Sequence, residues 1–342
     1  MVARAAEQVQ PPFAAGVQRD AETGWQLVVL RFSHPRAEDR SLTARIAPAA
    51  GGNLYSLAVG PDELLMQAPT LGELAEQRVG TPILFPTPNR VRDATFAFEG
   101  RTFSFEPNNH DNFIHGLVRK RPWQIGELRA TRFGAMAEVF IDWDQDQPEF
   151  DRFPIEHRLT VTYTLKRQGL RIAYRVDNRD RQKLPFGFAL HPYFRIPGAR
   201  EAVFVEVPAA QRMEAVDLLP TGQLLKVAGT PYDLRKPISI ETLNLDDVYF
   251  GMRPGRPAAF ELRDRGLRVT LGGSKEFTHL VIFTPLGRPF FCLENQTSST
   301  DAHNLWAAGK RRASHLLVVP PGGKATGHVE WTVGRIEAAP SP

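Results

Sequence analysis

From Trp25 onward the chain runs in short apolar stretches, many of them β-branched, separated by compact groups of turn residues. Residues 25–32 form one such run. Residues 54–59 and 63–66 flank Gly60-Pro61-Asp62, and residues 95–98 and 102–105 flank Glu99-Gly100-Arg101, which are two hairpin signals. In His157-Arg158-Leu159-Thr160-Val161-Thr162-Tyr163-Thr164-Leu165 the large apolar residues fall at every second position, the period of a half-buried strand. Further strand-like runs cover 136–143, 170–177, 202–207, 258–262, 267–271, 279–283, 314–319 and 326–333. Helical periodicity of any length is missing, with room for a turn or two only over 70–77. The 27 glycines and 28 prolines are spread through the chain as turn punctuation. The pattern predicts an all-β fold, a large antiparallel β-sandwich, and disfavours an α/β plan. No composition break, linker or repeat divides it. The expected organisation is a loose leader over 1–20 and a single sandwich domain over 21–336.

Composition changes this picture little. Apolar residues make up 42% and charged residues 23%, an ordinary globular balance that excludes disordered and fibrous classes. The formal charge of +4 comes from 42 basic and 38 acidic residues. They are scattered, and clusters such as Arg119-Lys120-Arg121 and Lys310-Arg311-Arg312 read as solvated faces, so no nucleic-acid partner is expected. The one cysteine, Cys292, allows no intrachain disulfide and no thiolate cluster. Flanked by Phe291 and Leu293, it reads as an inert buried thiol. Residues 1–20 lack the apolar core of a signal peptide, and no run approaches the roughly eighteen apolar residues of a membrane span. The expectation is a cytoplasmic protein with no membrane partner.

Candidate chemistry sits in polar islands between strands. Three prolines in Gly80-Thr81-Pro82-Ile83-Leu84-Phe85-Pro86-Thr87-Pro88-Asn89-Arg90 argue against ladder pairing and deliver Arg90 from a stiff support. Asn108-Asn109-His110-Asp111-Asn112-Phe113-Ile114-His115-Gly116 is rich in hydrogen-bonding groups. It fits a polar ligand better than a metal, because His110 and His115 are five apart with no thiolate partner. His191 ends the apolar run before Pro192-Tyr193-Phe194, and histidine is the side chain best placed to shuttle protons near neutrality. Asp246 and Asp247 are adjacent, so in an extended chain only one of them faces a given site. Phe290-Phe291-Cys292-Leu293 leads to Glu294 at a strand end, where apolar surroundings would raise a carboxyl toward the range useful to a base. Each island also has a bland reading: a surface arginine, a core histidine, a turn aspartate, an edge glutamate. There is no Gly-x-Ser-x-Gly elbow, P-loop or Gly-x-Gly-x-x-Gly after a strand. An acid and a base without a nucleophile suggest proton transfer at a polar, uncharged ligand. Trp123, Tyr193 and Phe194 could stack on a sugar face.

The motifs, in their order, resemble the aldose 1-epimerases, also called galactose mutarotases. They are Asn89-Arg90-Val91 with Phe96, Gly100 and Phe103; His115-Gly116; His191-Pro192-Tyr193-Phe194; Leu219-Pro220-Thr221-Gly222; and Gly229-Thr230-Pro231-Tyr232-Asp233-Leu234-Arg235 before Asp246-Asp247. Cys292-Leu293-Glu294-Asn295-Gln296-Thr297 with Asp301-Ala302-His303-Asn304, and Pro320-Pro321-Gly322-Gly323, complete the set over residues 51–333. The resemblance implies a galactose mutarotase-like supersandwich that opens and closes a sugar ring. It implies Glu294 as the base at the C1 hydroxyl and His191 as the acid at the ring oxygen. His115 would bond near that oxygen, and Arg90 and Asp246 would hold other hydroxyls. A small-molecule sugar is the only partner implied, with no metal or cofactor. The chain departs from the family pattern at Leu117, Arg195-Ile196 and Asn295, which bears on sugar preference. Two other readings remain open. A hexose-6-phosphate 1-epimerase would use arginines such as Arg92, Arg119 and Arg195 for its phosphate. A non-catalytic carbohydrate-binding module would be marked by loss of the acid or the base, and both are present.

Overall fold

A computed structural model describes residues 11–336, and three large antiparallel sheets hold most of its strands. A five-stranded meander runs in chain order through Phe13–Arg19, Gln26–Phe32, Leu42–Ala47, Asn53–Val59 and Asp62–Glu63. A nine-stranded sheet runs in the order Gln124–Thr131, Gly134–Trp143, His157–Lys166, Gly169–Asn178, Lys324–Arg335, Leu267–Gly273, Ala258–Leu262, Val203–Glu206 and Ile238–Ser239. Its C-terminal strand is central, with Trp331 opposite Leu170 on one side and Leu271 on the other. An eight-stranded sheet runs from Leu219–Lys226 through Gln211–Val216, Asp246–Phe250, His279–Phe283, Phe290–Gln296 and Ala189–Leu190 to Ile83–Leu84. Phe194–Arg195 also pairs with its strand Phe290–Gln296.

Alternation explains the layers. In Gly134–Trp143 every second residue is buried. One apolar cluster draws on all three sheets, including Leu30 and Ile46, Val161 and Trp331, and Ile282 and Leu293. Fully burying a side chain of this size contributes about 1.5–3 kcal/mol, which makes this cluster the main stabilising feature.

The structure corrects three expectations. The leader over 1–20 lies partly outside the described residues, but Phe13–Arg19 is a strand paired along its length with Gln26–Phe32. Its anchor is Phe13, 1% exposed, packed against Phe32 with ring centroids 4.8 Å apart; its other side chains are mostly exposed, which hid the strand in the sequence. The proline-rich island does pair: Ile83–Leu84 hydrogen-bonds to Ala189–Leu190, and the flanking prolines hold the pairing to two residues. The run expected at 314–319 is a strand only over Leu317–Val319, because Arg311–Ser314 forms a short helix beside a second one at Ala302–Ala307. The hairpin expected at Glu99-Gly100 is present, with both residues in the left-handed region that a tight two-residue turn requires.

Candidate active site

Strand Phe290–Gln296 sets the geometry. Its odd positions Phe291 and Leu293 enter the main core, so Phe290, Cys292, Glu294 and Gln296 share the opposite face. Glu294 is inside the strand, not at its end as the sequence suggested, and is 3% exposed. Register then orders its neighbours. Val281 lies across from Glu294, Cys292 from Phe283, and Phe283 from Asp246. Asp246 therefore shares the Glu294 face, one row away. Asp247, across from Ile282, points to the other side and bridges to Arg212 at 3.3 Å.

His191 follows Ala189–Leu190, and its backbone N–H donates to Pro82 O at 3.0 Å. Its Nδ1 lies 3.4 Å from Glu294 Oε1 without hydrogen-bond alignment. Its Nε2 shares a 3.1 Å hydrogen bond with the Tyr193 hydroxyl, and the two rings stack at 4.4 Å and 17°. Gln296 Nε2 donates to the far carboxyl oxygen, Glu294 Oε2, at 3.1 Å. Burial raises the Glu294 carboxyl well above its ordinary value of 4.5, and the charge of Asp246 adds to the rise. Burial, then the charges of Arg119 and Arg78, lower His191 to about 3. Both shifts favour the uncharged forms. The contact is thus a carboxylic acid facing a neutral imidazole, and the two groups hold one transferable proton between them.

His115 lies edge-on to His191, centroids 5.1 Å apart. Its own backbone is left-handed at φ 72°, and so is Gly116 at φ 68°. A Cβ on Gly116 would stand 2.2 Å from the Phe85 carbonyl oxygen, so only glycine permits this approach. Burial, then the charges of His191 and Arg119, hold His115 neutral, and its Nδ1 is buried without a partner. Arg90 reaches from the pairing of Arg90–Val91 with Phe113–Ile114. Its Nε donates to Asn109 Oδ1 at 3.1 Å and its Nη1 to Asn89 Oδ1 at 3.0 Å, leaving Nη2 at 3.9 Å from Asp246 Oδ2. Burial raises the Asp246 carboxyl, and Arg90 opposes the rise.

The structure thus brings Glu294, His191, His115, Arg90 and Asp246 together, ordered from a buried acid–base pair to a half-exposed Asp246. The other polar residues serve as support. Asp301 accepts from Arg92 N–H at 3.1 Å and its own N–H donates to Arg90 O at 2.8 Å, tying the arginine hairpin to the C-terminal segment. Asn108 closes the histidine loop on Ile114, and His110 is exposed. Of the stacking candidates, Phe194 is in the main core and Trp123 packs over Gly52 with its indole N–H on Val118 O. Tyr193, 6% exposed, spends its ring on His191. Sequence reasoning missed Arg78, whose charge reaches His191, His115 and Asp246, and the roles of Gln296 and Asn109. For Gln296 a signal existed: it is two residues past Glu294 in an extended run and so faces the same way. No helix of the described residues is long and apolar enough to cross a membrane.

The family profile described as aldose 1-epimerase matches residues 37–330. Similar curated proteins include the galactose mutarotase of Bos taurus, 27% identical over 207 residues that cover 58% of this chain and 56% of that protein. The galactose mutarotase of Sus scrofa is 30% identical over 159 residues, 44% of each. The maltose epimerase of Levilactobacillus brevis is 24% identical over 164 residues, 47% of each. The chain spans about half the length of the curated relatives it matches. A galactose mutarotase-like protein from Clostridium acetobutylicum superposes with a TM-score of 0.81 at 21% identity, over 94% of this chain and 98% of that one. Galactose 1-epimerase from Lactobacillus acidophilus superposes with a TM-score of 0.72 at 16% identity, over the same shares. These structural likenesses show the fold.

Proposed function

We propose that this chain, which belongs to the aldose 1-epimerase family, interconverts the α and β anomers of a free aldose by opening and closing the sugar ring. The observation that carries the reading is the buried one-proton pair, His191 Nδ1 3.4 Å from Glu294 Oε1. Ring opening removes a proton from the C1 hydroxyl and adds one to the ring oxygen. With the shared proton moved from Glu294 to His191, Glu294 takes the first and His191 supplies the second. Rotation about C1–C2 presents the other carbonyl face, and the same two transfers run backwards. The pair therefore ends each turnover as it began, and no step calls on a cofactor. While the open aldehyde is bound the proton rests on Glu294 and His191 is neutral, the distribution that burial favours. The site is biased toward the intermediate, the direction in which binding energy accelerates a reaction. His115 bonds the ring-oxygen region, and Arg90 and Asp246 hold hydroxyls. Positioned acid–base groups of this kind contribute about 10²–10⁴-fold each.

The names of the similar proteins make galactose and maltose the first sugars to test. Polarimetry on freshly dissolved α-anomers, with and without protein, measures the activity. Faster approach to the same final rotation supports the reading, and no acceleration with any free sugar refutes it. One observation favours a second reading, in which the aldose carries an anionic group. Arg119 donates to the Ala75 carbonyl and lowers both His115 and His191, and Arg78 belongs to the same turn. Arg92 is engaged by Asp301 at 3.7 Å and Arg195 is exposed, so of the three arginines first considered only Arg119 bears on the site. Faster anomerisation of a hexose 6-phosphate than of the free hexose would favour that reading.

A further inference from the structure

The face that carries Glu294 also carries a group that the proton transfers do not use. Cys292 is two residues earlier in the strand, and its thiol lies at the floor of the same site. One ligand atom each from His191, Cys292 and Glu294 lie within 4.8 Å of one another, and all three residues are buried. His191 Nδ1 is buried with no hydrogen bond. The remaining polar atom of each non-cysteine ligand is already held from outside: Tyr193 bonds His191 Nε2, and Gln296 donates to Glu294 Oε2. Outer partners that fix the imidazole tautomer and leave one carboxylate oxygen forward are how metal sites orient their ligands.

We propose that His191, Cys292 and Glu294 form an inhibitory site for a thiophilic divalent cation, with Zn²⁺ as its type. One nitrogen, one sulfur and one carboxylate oxygen suit Zn²⁺ or Co²⁺ and do not suit Mg²⁺ or Ca²⁺, which take oxygen ligands. Three protein ligands leave a fourth position for water. Zn–ligand distances of about 2.0–2.3 Å require the three donors to draw slightly closer than they stand, a small rotamer adjustment. The bound cation occupies both members of the pair that turnover needs, so it inhibits. Binding costs Cys292 its thiol proton and Glu294 its carboxyl proton, both of which pass to solvent, and no redox change occurs.

The inhibitory arm rests on the proposed mutarotation; the binding arm does not. CoCl₂ is titrated into the full chain in a non-chelating buffer and thiolate-to-cobalt charge-transfer absorption is followed. Cys292 is the only cysteine, so a band identifies this site. The band is expected in the wild type and absent in Cys292→Ser. In polarimetry ZnCl₂ slows the wild type, EDTA restores it, MgCl₂ does nothing, and Cys292→Ser keeps its basal rate while needing at least about tenfold more Zn²⁺. Absence of the band, or equal zinc sensitivity in wild type and variant, overturns the site. Cys292→Ala gives the same readouts if the serine variant does not fold. A wild type with the cobalt band but no activity on any sugar would sink the mutarotase reading and leave the metal site standing.

Discussion

Replacing Glu294 by glutamine should stop turnover and at the same time make the protein more stable at neutral pH. The side chains have the same shape. The amide oxygen can accept from Gln296 Nε2, now 3.1 Å from Oε2, and the amide nitrogen can donate to His191 Nδ1, now 3.4 Å from Oε1 and without a hydrogen bond. Both groups that now face the carboxyl oxygens then have a hydrogen bond. The energy follows from proton linkage. The carboxyl is raised well above 4.5 in the folded chain by burial, and titrates near 4.5 in the unfolded one. Above that value the folded state binds more protons than the unfolded state, so stability is lost as pH rises. Each pH unit over which the folded carboxyl keeps its proton while the unfolded one has lost it costs about 1.36 kcal/mol. Glu294→Gln removes that cost. Urea unfolding should show the variant gaining on the wild type as pH rises above about 4.5, by up to about 1.36 kcal/mol per pH unit. Polarimetry should show a loss of about 10²–10⁴-fold. A variant less stable than wild type at pH 7 would mean that the pair is a carboxylate–imidazolium ion pair, and would refute the one-proton argument. Near-normal activity would remove Glu294 as the base.

The kcat/KM profile should be flat through the middle range. It should fall toward pH 3, where His191 takes a second proton, and fall again at higher pH when Glu294 loses its own; an acid limb near 6.5 would contradict the burial of His191. Asp246→Asn should raise KM about tenfold or more while Asp247→Asn changes it little, and the reverse would exchange their roles. Gly116→Ala should cost about 2–3 kcal/mol in thermal unfolding, since its Cβ meets Phe85 O at 2.2 Å in a left-handed backbone; an unchanged Tm would show that the loop can move aside. Tyr193→Phe keeps the ring stack and removes the hydroxyl on Nε2, so kcat should fall about tenfold with KM little changed and the acid limb displaced. An unaltered limb would show that Tyr193 does not position His191.

Much of the fold was legible because its strands obey alternation. Ala258–Leu262 and His279–Phe283 were read to the residue, and the paired strands His157–Lys166 and Gly169–Asn178 to within one residue at each end. Two of the strands that were missed lie at sheet edges. Gln124–Thr131 is an exposed edge with a register shift between Ile125 and Leu128, and Leu219–Lys226 carries Pro220 and Gly222 at the rim of its sheet. With so few side chains buried, their sequences carry no period. The candidate site was legible as a set of residues through motif resemblance, but its geometry was not. That Asp246 faces Glu294 while Asp247 turns away depends on register with His279–Phe283, which no local pattern encodes. Tyr193 and Gln296 act through His191 and Glu294, and such contacts arise only when distant segments meet.

The central place of Lys324–Arg335 has a consequence for synthesis. During translation the strands on either side of it, Gly169–Asn178 and Leu267–Gly273, are made first and wait for it. While that last strand is still inside the ribosome, each presents an open edge with unpaired backbone groups, the kind of surface that recruits strands from other chains. The hairpin bearing Arg90 waits too, for Asp301, which binds Arg92 across 209 positions. Chains that stall or terminate before Lys324–Arg335 is made should therefore aggregate rather than yield a weakened protein, and chaperone demand should last until that strand pairs.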